Sequence, residues 1–211
     1  MKIRLAFAIA AMLAAAAGAA AASAAPVRTG HVEAELVAQK TAFVPGADNV
    51  VALKLVLDKG WHTYWRNPGD SGLPTTLSWT LPAGVTAGAI EWLPPRVLPA
   101  GPLTNYGYED EALHPVTLRA APGFAAQGNV TLAARADWLV CRETCIPEGA
   151  DLTLTLPVAT HAADDPRHGA ALTAALAQVP GALSAQGWRA TATGEGQHVA
   201  LQLTPPPGAP D

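Results

Sequence analysis

The sequence predicts an all-β fold built as an antiparallel sandwich, and three observations predict it. Short apolar runs alternate with period two, turn-forming residues separate them, and no helical period of useful length appears before residue 168. The alternation reads Val51, Leu53, Leu55, Leu57 in one run and Val116, Leu118 in another. It continues as Val130, Leu132, Ala134, Ala136, Trp138, Val140 and then Leu152, Leu154, Leu156. Successive side chains of a strand point to opposite faces, so each run buries one face and wets the other. Between the runs, Pro45-Gly46, Asn67-Pro68-Gly69, Pro82-Ala83-Gly84 and Pro122-Gly123 are turn-formers. Residues 27–158 are therefore expected to form one domain, immunoglobulin-like in architecture.

Ahead of that domain, residues 1–24 have the layout of an export signal. Met1-Lys2-Ile3-Arg4 is a basic start, an Ala/Leu run follows to about residue 22, and Ala22-Ser23-Ala24 offers a small-residue cleavage site. No later segment approaches the roughly 20 apolar residues that span a bilayer. Loss of Lys2 and Arg4 with the signal leaves 11 of the 13 basic residues against 17 acidic ones, a net charge of −6. That balance argues against nucleic acid or an anionic membrane surface as partner. Neither a phosphate-cradling glycine loop nor a nicotinamide or flavin fingerprint is present, so no cofactor is expected.

Behind the domain, residues 159–168 are polar, carry no apolar period and read as a linker. Ala170–Val179 reads as a short helix, and Trp188–Thr193 and His198–Leu203 as two strands. A piece of about 40 residues cannot bury a sufficient core alone. Residues 169–211 are accordingly expected to be a partial second module, a short α+β segment that looks truncated.

The chemistry points to the two cysteines, both in the exported part, where disulfides persist. An alternating strand runs into Cys141 and another begins near Asp151, so Arg142-Glu143-Thr144 most simply forms a hairpin tip. Residues facing each other across such a ladder lie within disulfide reach. Parity puts Cys141 with Arg135 and Asp137 on the wetter face, and Cys145 with Asp151, Thr153 and Thr155. A structural staple closing so short a loop would contribute only roughly 2 kcal/mol. A pair at a sheet end that another protein's sulfur can reach fits disulfide exchange better. The competing reading is a soft-metal site, two thiolates holding Cu(I) with help from a histidine. None of the six histidines lies in the hairpin, and His62 and His114 read more simply as satisfied histidines near a core.

Three stretches occurring in order carry a family resemblance. They are Gly60-Trp61-His62-Thr63-Tyr64-Trp65-Arg66-Asn67-Pro68-Gly69-Asp70-Ser71-Gly72, Asn105-Tyr106-Gly107-Tyr108-Glu109, and Asp137-Trp138-Leu139-Val140-Cys141 with Cys145-Ile146-Pro147. Together they resemble the periplasmic N-terminal domain of the DsbD/ScsB family of thiol:disulfide interchange proteins, most closely its ScsB-like branch. The resemblance implies an immunoglobulin-like fold, a periplasmic location, and a protein-disulfide reductase that works as part of a larger relay. Such a relay passes reducing equivalents from a transmembrane electron-relay domain, in cis or in trans, to thioredoxin-like periplasmic proteins. It also implies that Cys145 forms mixed disulfides and that Cys141 resolves them. A cap loop shields the pair in DsbD, and Asn105-Tyr106-Gly107 falls at that place, with Tyr106 or Tyr108 as capping side chain. The chain departs from DsbD in having Asn105 where DsbD has phenylalanine, and in its closer cysteines. The alternative function is a periplasmic Cu(I)-binding or copper-tolerance module using the same thiols. The Trp61–Arg66 cluster is expected to close the core, and Glu109, Asp110 and Glu111 to form a solvated loop.

Overall fold

The structure, a computed structural model, describes residues 23–121, 124, 128–196 and 198–208. The expected signal segment, apart from its last two residues, and the turn-former Pro122-Gly123 lie outside the described residues.

Among the described residues twelve strands precede residue 158. In chain order they are β1 (Ser23–Ala24), β2 (Val27–Arg28), β3 (Val32–Ala38), β4 (Asp48–Leu57), β5 (His62–Gly69) and β6 (Thr76–Thr80). Then come β7 (Val85–Ile90), β8 (Arg96–Ala100), β9 (Leu103–Glu109), β10 (Glu111–Ala120), β11 (Asn129–Cys141) and β12 (Cys145–Pro157). One sheet runs β1-β12-β11-β5-β9-β8, with β6 also on β11, and the other runs β2-β3-β4-β10-β7. All pairings within both sheets are antiparallel. The expected all-β, immunoglobulin-like antiparallel sandwich is thus what the chain forms.

The alternating runs make the core. Val130 to Val140 at even positions face Val51, Leu53, Leu55, Leu57, Val116 and Leu118 in one buried cluster, joined by Leu152, Leu154 and Leu156. Each fully buried Leu or Val contributes about 1.5–3 kcal/mol by leaving water. Strands β5 to β9 were not legible as alternation. In β5 the neighbours Thr63 and Tyr64 are both buried, because both faces of that strand are covered. Asn67-Pro68-Gly69, expected as a turn, instead ends β5. The ladder with β9 slips between the pairs Tyr64/Gly107 and Gly69/Asn105, so these residues leave regular pairing without reversing the chain. Pro99 sits on the edge strand β8, where its missing N–H breaks no ladder.

Residues 159–168 are fastened to the sandwich. Thr41 N–H donates to Ala163 O and Asp165 N–H to Gln39 O, 2.9 and 2.8 Å. The carboxylate of Asp165 accepts from the N–H groups of Arg167 and His168, both 2.9 Å, ahead of α1 (Gly169–Leu176). Leu172 of that helix is fully buried against Val37 and Ala52. A 3-10 turn (Leu183–Gln186) leads to a hairpin of β13 (Arg189–Glu195) and β14 (His198–Thr204), where the sequence placed two strands. No helix of the described residues is long and apolar enough to cross a membrane.

His114 departs from expectation in one respect. It is buried, edge-on to Trp92 and Tyr108, but neither ring nitrogen has a hydrogen-bond partner. Burial pushes its pKa from 6.5 down to about 4. A depressed histidine contributes stability that is complete above 6.5 and lost as pH falls from there through 4. At about 1.4 kcal/mol per unit, roughly 2–3 kcal/mol should vanish between pH 7 and 4.5. Urea unfolding at the two pH values should show this loss in the wild type and its near absence in His114→Leu. Equal losses in both proteins would place the acid sensitivity elsewhere.

Candidate functional site

The ladder between β11 and β12 runs without a slip from Asn129/Pro157 to Cys141/Cys145. That register makes the two cysteines a directly opposed pair, joined by a disulfide with Cα atoms 4.1 Å apart. Arg142 N–H to Thr144 O, 3.3 Å, closes the tip between them.

On its other edge Cys141 is paired with His62 of β5. Directly opposed residues share a sheet face, and so do residues two apart on one strand. Cys145, Cys141, His62 and Tyr64 therefore stand together on one face. The Tyr64 hydroxyl donates to Cys141 Sγ at 3.0 Å and lies 3.7 Å from Cys145 Sγ. His62 Nε2 lies 3.3 Å from the same hydroxyl, its ring edge-on to the phenol at 5.2 Å between centroids. Parity had placed Cys141 on the wetter face, yet it is only 2 % exposed while Cys145 is exposed. The correction has a local cause, since Tyr64 covers the outer face at this one point.

Tyr64 is itself 1 % exposed, and Gly72, at the end of a strap formed by residues 70–72 after β5, lies against its ring. A Cβ on Gly72 would stand 2.3 Å from the phenol ring, and Gly72 has φ +99°, a conformation natural only to glycine. The strap is tied to β9. Asp70 N–H donates to Thr104 O, Thr104 N–H donates to the Asp70 carboxylate, and Asn105 Oδ1 accepts from both N–H and Oγ–H of Ser71. Burial raises the Tyr64 phenol above its ordinary pKa, so it stays a proton donor at neutral pH. Burial lowers His62, opposed by the Glu109 carboxylate across the ladder.

The expected cap residues take different places. Asn105 is buried and holds the strap that presses on Tyr64. Tyr106 pairs with Val97 on the outer part of the sheet. Tyr108 is buried and donates its hydroxyl to Leu93 O at 2.8 Å, with its phenol pushed far up by burial. Trp61, stacked on His31 at 3.6 Å, joins the core as expected, and the Arg142 guanidinium lies 5.3 Å over its ring. The sequence places Tyr64 and His62 in that core-closing cluster, and reads His62 as a satisfied histidine near a core as well. Glu109 meets Arg96 at 3.6 Å and Glu111 meets Lys54 at 3.6 Å, so these carboxylates have cationic partners. Among the described residues no group of three or more His, Cys, Asp or Glu side chains is placed to hold a metal ion.

The strap's role over Tyr64 yields an expected outcome. Gly72→Ala should cost about 1–3 kcal/mol through the clash and the unfavourable φ. In the reduced protein it should raise alkylation of Cys141 relative to Cys145 several-fold, read by peptide mass spectrometry. An unchanged ratio would mean that Tyr64 does not shield Cys141.

No curated protein matches the chain. Among solved structures, the N-terminal periplasmic domain of ScsB from Proteus mirabilis is similar, with a TM-score of 0.53 and 22% identity. The match covers 72% of this chain and 56% of that one, so the chain spans little more than half of its length. The family model for the N-terminal region of the thiol:disulfide interchange protein DsbD matches residues 33–157. That span holds both cysteines, Tyr64, the strap and β9, and the chain accordingly belongs to the DsbD N-terminal domain family.

Proposed function

We propose that this chain is a periplasmic thiol:disulfide interchange domain that relays reducing equivalents from a membrane partner domain to thioredoxin-like periplasmic proteins. The observation that carries the reading is the asymmetry of the disulfide, one cysteine exposed and the other buried under a phenol. Exchange proceeds by attack of a thiolate in line with the S–S bond. Cys145 is the exposed residue of the pair and offers the sulfur a partner can approach. Cys141 Sγ then leaves as a thiolate, and the Tyr64 hydroxyl already aimed at it stabilises the new charge. Tyr64 is thus a catalytic residue in this reading. Beside the hairpin an open apolar groove of about 350 Å³, lined by Leu73, Pro74, Leu139 and Pro147 among others, offers an approaching protein contact area.

In the outgoing direction the reduced Cys145 thiolate attacks the substrate disulfide, and Cys141 then attacks Cys145 to release the reduced substrate and restore the internal bond. Removing the resolving thiol should freeze the mixed disulfide. Cys141→Ser is expected to accumulate a covalent complex with a thioredoxin-like partner on non-reducing gels, and Cys145→Ser is not. Trapping by Cys145→Ser alone would reverse the assignment.

A further inference from the structure

We propose that His62 supplies a proton to the leaving Cys141 sulfur through the Tyr64 hydroxyl, so that disulfide opening is acid-assisted. The inference rests on the preceding reading that Cys141 is the leaving sulfur. It starts from hydrogen-bond polarity. A disulfide sulfur carries no hydrogen, so in the 3.0 Å contact only Tyr64 can donate to Cys141 Sγ. Protonated His62 carries hydrogen on both ring nitrogens, so its Nε2, 3.3 Å away, donates to the Tyr64 oxygen and leaves the phenol proton for the sulfur. The chain runs from His62 Nε2–H to the Tyr64 O–H to Cys141 Sγ without a gap.

The step balances. A partner thiolate attacks Cys145 Sγ, a partner–Cys145 S–S bond forms, the Cys141–Cys145 bond breaks, and its electron pair stays on Cys141 Sγ. As the charge develops, the Tyr64 proton moves to that sulfur and the His62 proton moves to the Tyr64 oxygen. His62 is left neutral and is recharged from solvent, which its partial exposure allows. Transfer is downhill, since an ordinary thiol holds its proton near 8.5 and an imidazolium near 6.5. In the reverse step neutral His62 takes the proton back as Cys141 attacks Cys145. No direct contact joins His62 to sulfur, so it acts as a positioning residue, through Tyr64.

Few charges compete for the ring. From β9 the Glu109 carboxylate faces it and favours the imidazolium, with Arg96 of β8 3.6 Å from that carboxylate. From β11 and β12 it faces the disulfide itself, which does not titrate. The larger influence on the ring is burial, which holds its pKa below 6.5.

The test is stopped-flow reduction of the oxidised protein by dithiothreitol between pH 4.5 and 8, each rate divided by the dithiothreitol thiolate concentration. The wild-type quotient should fall as pH rises through the His62 titration. In His62→Gln, which keeps an N–H donor but cannot titrate, the quotient should be flat and at least about tenfold lower at pH 5, with little difference at pH 8. Tyr64→Phe should be flat as well, and adding His62→Gln to it should change nothing further. A wild-type profile retained in His62→Gln, or His62 effects that persist without the Tyr64 hydroxyl, would overturn the proposal. Dithiothreitol needs no protein partner, and the trapping experiment reads the Cys145 assignment independently, so a failed relay stays distinguishable from a failed assignment.

Discussion

The pairing of Cys141 with His62 across β11 and β5 is the constraint on which the site depends. It is the one register contact between these two strands, and it decides what stands beside the disulfide. Because β5 meets β11 at its last residue, Tyr64 two positions further along projects onto the same face and covers the sulfur. A slip of one residue would turn Tyr64 to the opposite face and leave Cys141 open on the wet side, where its parity alone would put it.

Holding that single contact takes several supports. On one side the slip-free β11–β12 ladder fixes the hairpin, with thirteen residues of each strand tied to a core of alternating Leu, Val and Ala. On the other side Gly107 lets β9 approach β5 so closely that a Cβ there would meet Thr63 O at 1.9 Å. From β9 the Asn105 amide grips Ser71, and Gly72 lies flat on the phenol. The chain from Asn105 to Ser71 and Gly72, then to Tyr64, then to Cys141, links the segment expected to cap the pair with the sulfur it was expected to shield. The hairpin tip is braced separately, Arg142 over Trp61 and Glu148 accepting from the His31 N–H at 3.0 Å.

Much of this was legible in the sequence, for a physical reason. Runs such as Val130–Val140 and Leu152–Leu156 bury one face, so their period survives in the residues, and the opposed cysteines followed from the two runs and the short tip between them. The short strands β6 to β8 were not legible because they lie mostly exposed, and β5 and β9 because their neighbours bury both faces, erasing alternation, as at Thr63 and Tyr64. The burial of Cys141 was missed for the same cause: it comes from residues about 70 to 80 positions away, and no local pattern encodes that. In the sequence His62 and Tyr64 read as members of an aromatic cluster, and His62 as a satisfied histidine near a core. Their separation of two residues, which puts both on one strand face, was the one signal that tied them together. His114 shows a different case, where a satisfied histidine near a core is expected and the residue is buried, but among the described residues its two nitrogens lack partners.

The asymmetry of the disulfide is the central claim, and one measurement reads it directly. Oxidised protein is opened with limiting glutathione, quenched in acid, blocked by alkylation and cleaved after Arg142, which separates Cys141 from Cys145 on different peptides. The account predicts glutathione on Cys145 and the alkyl group on Cys141. Glutathione found mainly on Cys141, or shared equally between the two, would contradict it.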